Sequence, residues 1–155
     1  MVKTNDGLKV KGAFRLQILD DGKIVGDSGW HKNVVVNLGF NQYLVSTLGA
    51  IAGSKQLSHM AVGSGGAPNA TETALAGEAV VRAAITAATS SASKTLRCTA
   101  TFNSSASFVT ATLNLSNVGL FNTSSGGTIF AGNTFTSSSC ATNQNVNATY
   151  DIIFA

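Results

Sequence analysis

Charge is what this 155-residue chain has least of. Asp, Glu, Lys and Arg together make up 11% of it, against about 25% in an average soluble domain. A freely dispersed protein usually needs more charge to stay apart from its neighbours. The composition therefore points to a molecule that works assembled, with much of its surface covered. Acids are scarce: Glu72 and Glu78 are the only glutamates, and His31 and His59 the only histidines. No cluster of His, Cys, Asp or Glu surrounds either histidine in sequence, so the three or four ligands that zinc or iron require are not gathered. A G-x-S-x-G elbow for a serine nucleophile is missing, and no enzymatic activity is expected. Gly63-Ser64-Gly65-Gly66 lacks the lysine of a phosphate loop and meets Pro68 where a dinucleotide fingerprint needs its last glycine. It reads as a tight loop leaving a strand, and no cofactor is expected. Apolar runs fall well short of the ~18 residues of a membrane span. Met1–Val10 carries charges and no apolar h-region, so no signal peptide is read, and synthesis and assembly in the cytoplasm are expected. Cys98 and Cys140 lack metal-ligand spacing. They read as two small buried hydrophobes, with a disulfide as the less favoured alternative.

What is present is enough apolar material for a core. Hydrophobic residues reach 44%, and the length suits a single β-rich structural domain, residues 1–155. The net charge of +3 is mild, without the clustered Lys/Arg and interleaved aromatics of a nucleic-acid surface. Ten of the seventeen charged residues fall within the first 32 positions, among them Lys3, Lys9, Lys11 and Arg15. The segment from about 1 to 12 is therefore a candidate electrostatic contact arm.

Strand periodicity dominates the rest. Phe14, Leu16 and Ile18 alternate with Ala13 and Arg15, and Asp20-Asp21-Gly22 then turns the chain into Lys23-Ile24-Val25, predicting a hairpin. Trp30–Val36 and Leu57–Val62 are further β-prone runs. From Thr86 to Thr149 about half the residues are Ser, Thr or Asn, yet alternation persists. Leu96, Cys98, Ala100 and Phe102 form one apolar face; Val109, Ala111, Leu113 and Leu115 a second; Val146, Ala148, Tyr150, Ile152 and Phe154 a third. Thr-rich opposite faces suit strands. The fold expected is mainly β, an antiparallel β-sandwich or jelly-roll-like barrel. It carries one short α-helix near residues 38–49, capped by Asn37, with Phe40, Leu44, Leu48 and Ile51 as its apolar stripe. Thr71–Ala79 reads as a helical turn or an extended crossover. Trp30 is read first as a core anchor and alternatively as an interface anchor. With the adjacent His31 it joins Lys3, Lys9, Lys11 and Arg15 as the candidate interface set.

A resemblance extends these readings. Asn37-Leu38-Gly39-Phe40-Asn41, then His59-Met60-Ala61-Val62-Gly63-Ser64-Gly65, Ala67-Pro68, Thr71-Glu72-Thr73-Ala74-Leu75 and Glu78 resemble a pattern of tailed-bacteriophage particle proteins. There a helix precedes a strand ending in A-V-G-[ST]-G, followed by A-P and T-A-L. Val118-Gly119-Leu120-Phe121-Asn122, Ser125–Ala131 and Tyr150–Phe154 are similar to its second half, although Asn117 and Val118 stand where an acid often precedes G-L-F. The resemblance spans about Trp30 to Phe154. It implies a virion structural protein, assembled in the host cytoplasm. The capsid cement or decoration type would bind the major capsid protein and self-associate as a dimer or trimer, without contacting nucleic acid or membrane directly. The alternative it implies is a tail- or fibre-associated, carbohydrate-binding component, with Tyr43 or Tyr150 offered to sugars.

Overall fold

The computed structural model of the chain describes residues 9–90 and 94–155. Two antiparallel sheets pack face to face. The first is built on β1 (Val10–Asp20). Along one side of β1 lie β2 (Lys23–Asp27) and β3 (His31–Lys32); on the other follow β11 (Asn145–Phe154), β8 (Thr95–Phe102) and β7 (Thr86–Ser90). The second sheet runs in the order β4 (Val34–Val35), β10 (Ile129–Cys140), β9 (Leu113–Phe121), β5 (His59–Gly63) and β6 (Ala83–Ala84). This is the expected sandwich. The barrel-like closure does not occur: among the described residues no strand pairing joins the sheets, and β2, β7, β4 and β6 remain edges.

The predicted hairpin forms because Asp21 and Gly22, at φ 46° and 75°, supply the two left-handed positions that a tight two-residue turn requires. Phe14, Leu16 and Ile18 point into the sandwich. The chain then changes sheets between β3 and β4. At this corner the Asn33 amide donates to the Gly12 carbonyl at 3.0 Å, and a Cβ on Gly12 would lie 2.3 Å from the Asn33 side chain. Only glycine permits that approach.

The last strand lies between β1 and β8, with Val10 opposite Phe154 and Val146 opposite Phe102. Its inward residues meet those of β1: the Tyr150 ring stacks on Phe14 at 5.6 Å, and Phe135 of β10 meets Phe14 edge-on at 6.1 Å. Cys98 and Cys140 are free and buried in this core. Burial pushes the Cys98 thiol up to about 11, as suits a small hydrophobe rather than a reactive group.

The outer face of the second sheet is also covered. The crossover after Gly63 is extended, not helical, and bridges back through Glu78 to Gly63. It lays Leu75 against Val36, Ala61, Phe121 and Ile129 in a small second core. Asn117 is fully buried beneath it, and its amide donates to the Gly66 and Ala76 carbonyls at 3.0 and 2.8 Å. A buried side-chain amide here satisfies backbone that the loop would otherwise strand without partners.

Two sequence expectations need correction. The helix exists, but it winds as a π-helix over Gly39–Val45 before an α-turn at Ser46–Leu48, and no side chain caps its start. Its buried face is Gly39 and Tyr43, while Phe40, Leu48 and Ile51 are exposed. The i→i+5 winding changes which residues share a face. Gly39 lets the helix seat on β10, since a Cβ there would sit 2.2 Å from the Phe130 carbonyl oxygen. Second, Val109–Thr112 is not a strand. A 3-10 turn at Ser104–Ala106 and a left-handed Ser107 (φ 52°) redirect the chain, and Phe108 and Val109 are buried from a loop.

Candidate functional site

Two surfaces stand out. The first is the outward face of the first sheet. Here β1 presents Arg15 and Gln17, whose side chains both reach Asp27 at the end of β2: Arg15 Nε and Nη2 donate at 2.9 and 2.5 Å, and Gln17 Nε2 at 3.0 Å. With the Gly29 amide also donating to it, the Asp27 carboxyl is held well below the usual carboxylate range, chiefly by Arg15. Across the face, Arg97 of β8 makes a two-pronged pair with Asp151 of β11, both contacts at 2.7 Å. Thr101 donates to Asn147 at 2.9 Å. Arg15 and Arg97 are thus each paired with an acid, and Thr99, Thr101, Asn147 and Thr149 stand on the same face.

Trp30 stands over this face. It is 50% exposed, and the Arg97 guanidinium lies 6.0 Å from its ring. It is therefore not the core anchor of the first reading. His31 points the other way: it stacks on Phe14 at 5.7 Å, and its Nε2 lies 2.8 Å from the Ser28 carbonyl. Strand alternation thus separates these two neighbours. Arg15 is committed to Asp27 and is not a free clasp. Lys9 and Lys11 are exposed, but both belong to the sheet: Lys9 exchanges backbone hydrogen bonds with Ala155, and Lys11 pairs with Ile153. Residues 9–12 of the candidate arm are thus part of the fold, and Lys3 lies outside the described residues. Of the interface set, the structure brings Arg15 and Trp30 to one sheet face and leaves His31 half-buried.

The second surface is an apolar cleft of about 560 Å³. It lies between the sheets at the end where β11 finishes, roofed by the helix. Leu96, Ile152 and Phe154 come from the first sheet, Phe130 from the second, Tyr43, Leu44 and Leu48 from the helix, and Leu57 from the segment after it. Tyr43 packs edge-on against Phe130 at 5.3 Å, and its hydroxyl donates to the Thr128 carbonyl. Burial pushes its ionisation to higher pH. Both tyrosines offered to sugars are in fact buried, Tyr43 beneath the helix and Tyr150 in the core, so neither presents a stacking face.

Sequence reasoning missed one cluster. Arg82 is buried against the second sheet, 3.5 Å from the Phe121 ring centroid. It holds Glu78 at 2.5 and 3.0 Å and donates to the Thr123 and Gly126 carbonyls at 3.0 and 2.7 Å. The signal available was an acid and an arginine four residues apart in a chain with few of either. The arrangement staples the crossover to the 123–127 loop. His59 meets Ser58 Oγ at 2.8 Å, and no grouping of three potential metal ligands exists among the described residues.

The chain matches no family model, no curated protein and no solved structure.

Proposed function

We propose that this chain is a structural subunit of a tailed-bacteriophage particle, of the capsid cement or decoration kind, acting by surface contact with the major capsid protein and with its own copies. The observation that supports this reading is the surface. Nine large hydrophobic side chains stand exposed among the described residues, including Ile24 and Val25 on an edge strand, Trp30 on a sheet face, and Leu48 and Ile51 at the helix end. Soluble monomers scatter such residues singly; groups of them mark surfaces that are covered in use. With so little charge, burial of these groups provides the driving force, and contacts of ~1,000–2,000 Å² repeated over a shell add through multivalency.

The edges offer a second mode of contact. β7, Thr86-Ala87-Ala88-Thr89-Ser90, carries neither charge nor proline and pairs only with β8 among the described residues. Such an edge lacks the usual guards against strand addition. The test is the copy number in purified particles, measured by quantitative mass spectrometry against the major capsid protein. Hundreds of copies per particle are expected. A few to a few dozen would favour the tail- or fibre-associated alternative, and absence from particles would refute both.

A further inference from the structure

The cleft is lined by one basic side chain and no acidic one. Lys55 lines it and is half-buried there. Among the described residues its ammonium has no ion-pair or hydrogen-bond partner; the ion pairs are Arg15–Asp27, Glu78–Arg82 and Arg97–Asp151. No Asp or Glu contributes to the lining. Every other cleft residue is apolar except Tyr43, Thr47 and Gln56. A lysine held beside hydrocarbon, without an acid, matches a ligand that is apolar along its length and anionic at one end.

We propose that the cleft binds a carboxylate amphiphile, a medium- or long-chain fatty acid. The tail lies between the sheets against Leu96, Phe130, Ile152 and Phe154, and the carboxylate rests on Lys55. The space, about 560 Å³, falls within the ~300–1,000 Å³ of small-molecule sites. Its position between two layers, below a helix, suits a flexible chain better than a folded surface. The Lys55 ammonium selects against a cationic head group, and a neutral alcohol of equal length gains only from burial of its tail. This inference does not depend on the particle role, and either can fail alone.

The test uses the full chain, with dodecanoate, dodecanol and dodecyltrimethylammonium below their micellar concentrations, by calorimetry and ¹⁵N-resolved NMR. One saturable dodecanoate site is expected, with shifts centred on Leu57, Leu96, Ile152 and Phe154 and binding at least tenfold tighter than the ammonium compound. Lys55→Gln should weaken dodecanoate roughly tenfold, the loss of one charge-assisted contact, and Lys55→Glu should reverse the head-group preference. Ala87→Phe, an enlargement from the exposed edge strand, should block all three ligands while leaving the fold intact by circular dichroism. Equal affinity for the three ligands with no effect of Lys55→Glu would overturn the proposal, as would shifts confined to the outer helix surface. So would a dimer, seen by sedimentation, that covers the cleft and resists dodecanoate; the occupant would then be a second copy.

Discussion

Arg82 should be the most costly single side chain to lose outside the main core. Its side chain is 5% exposed, and that of Glu78 is 23% exposed. Arg82→Met keeps the apolar stem over Phe121 but removes four hydrogen bonds: two to Glu78, one to the Thr123 carbonyl and one to the Gly126 carbonyl. Breaking a buried pair by deleting one partner costs about 3–5 kcal/mol, because the other charge is left without compensation. Glu78 retains some access to water, which places the expected loss near the lower end, about 3 kcal/mol. For a chain of this size that lowers Tm by roughly 6–12 °C. Glu78→Gln should cost less, about 1–2 kcal/mol, since the amide oxygen still accepts from Arg82. The assay is equilibrium urea unfolding at pH 7, followed by circular dichroism, for both single variants and the double variant. A coupling energy above about 1 kcal/mol is expected. An Arg82→Met loss under 1 kcal/mol, or strictly additive single effects, would show that the staple is not holding the crossover.

Gly39→Ala should cost about 1–3 kcal/mol through the clash with the Phe130 carbonyl, read as a lowered urea midpoint; a neutral or stabilising result would mean the helix does not sit against β10 as described. Stability should fall as pH rises above about 9, because the unfolded chain releases the Cys98 proton while the folded chain, with the thiol near 11, holds it. Holding that proton is worth about 2–3 kcal/mol by pH 11, and Cys98→Val should make the fall in stability between pH 9 and 10 shallower without abolishing it, since burial also raises the Cys140 thiol and the two core tyrosines. Ile24→Lys together with Val25→Lys should leave stability within about 1 kcal/mol, since both side chains are exposed, yet reduce incorporation into particles. Normal incorporation would remove β2 from the contact surface.

The strands legible in the sequence were those with one apolar and one polar face. Phe14, Leu16 and Ile18, then Cys98, Ala100 and Phe102, then Val146, Ala148 and Tyr150 all point inward as their alternation indicates. Strands buried on both faces, or with a break in their pattern, were harder to read. β9 is buried on both sides from Asn117 onward, and β10 loses register between Thr134 and Ser138, so neither keeps a simple period of two. The helix was placed well, but its π winding and its seat on Phe130 depend on contacts between residues some ninety positions apart, which local periodicity cannot carry. The same holds for the cleft. Lys55 and Leu57 follow the helix, while Leu96 and Phe154 lie far along the chain, and only the topology gathers them.

The pairing of β1 with β11 also governs how the molecule is made. Ten residues, Val10–Leu19, find their partners in Asn145–Phe154, so that half of the sandwich cannot close until the chain as far as Phe154 has left the ribosome. Until then β1 presents its inward side, Phe14, Leu16 and Ile18, without cover from the final strand. Pairings this distant in sequence form slowly, and during that delay a growing chain is open to the wrong partner, including another nascent copy. A protein that must accumulate to high numbers would therefore gain more from faster closure of this seam than from a tighter core.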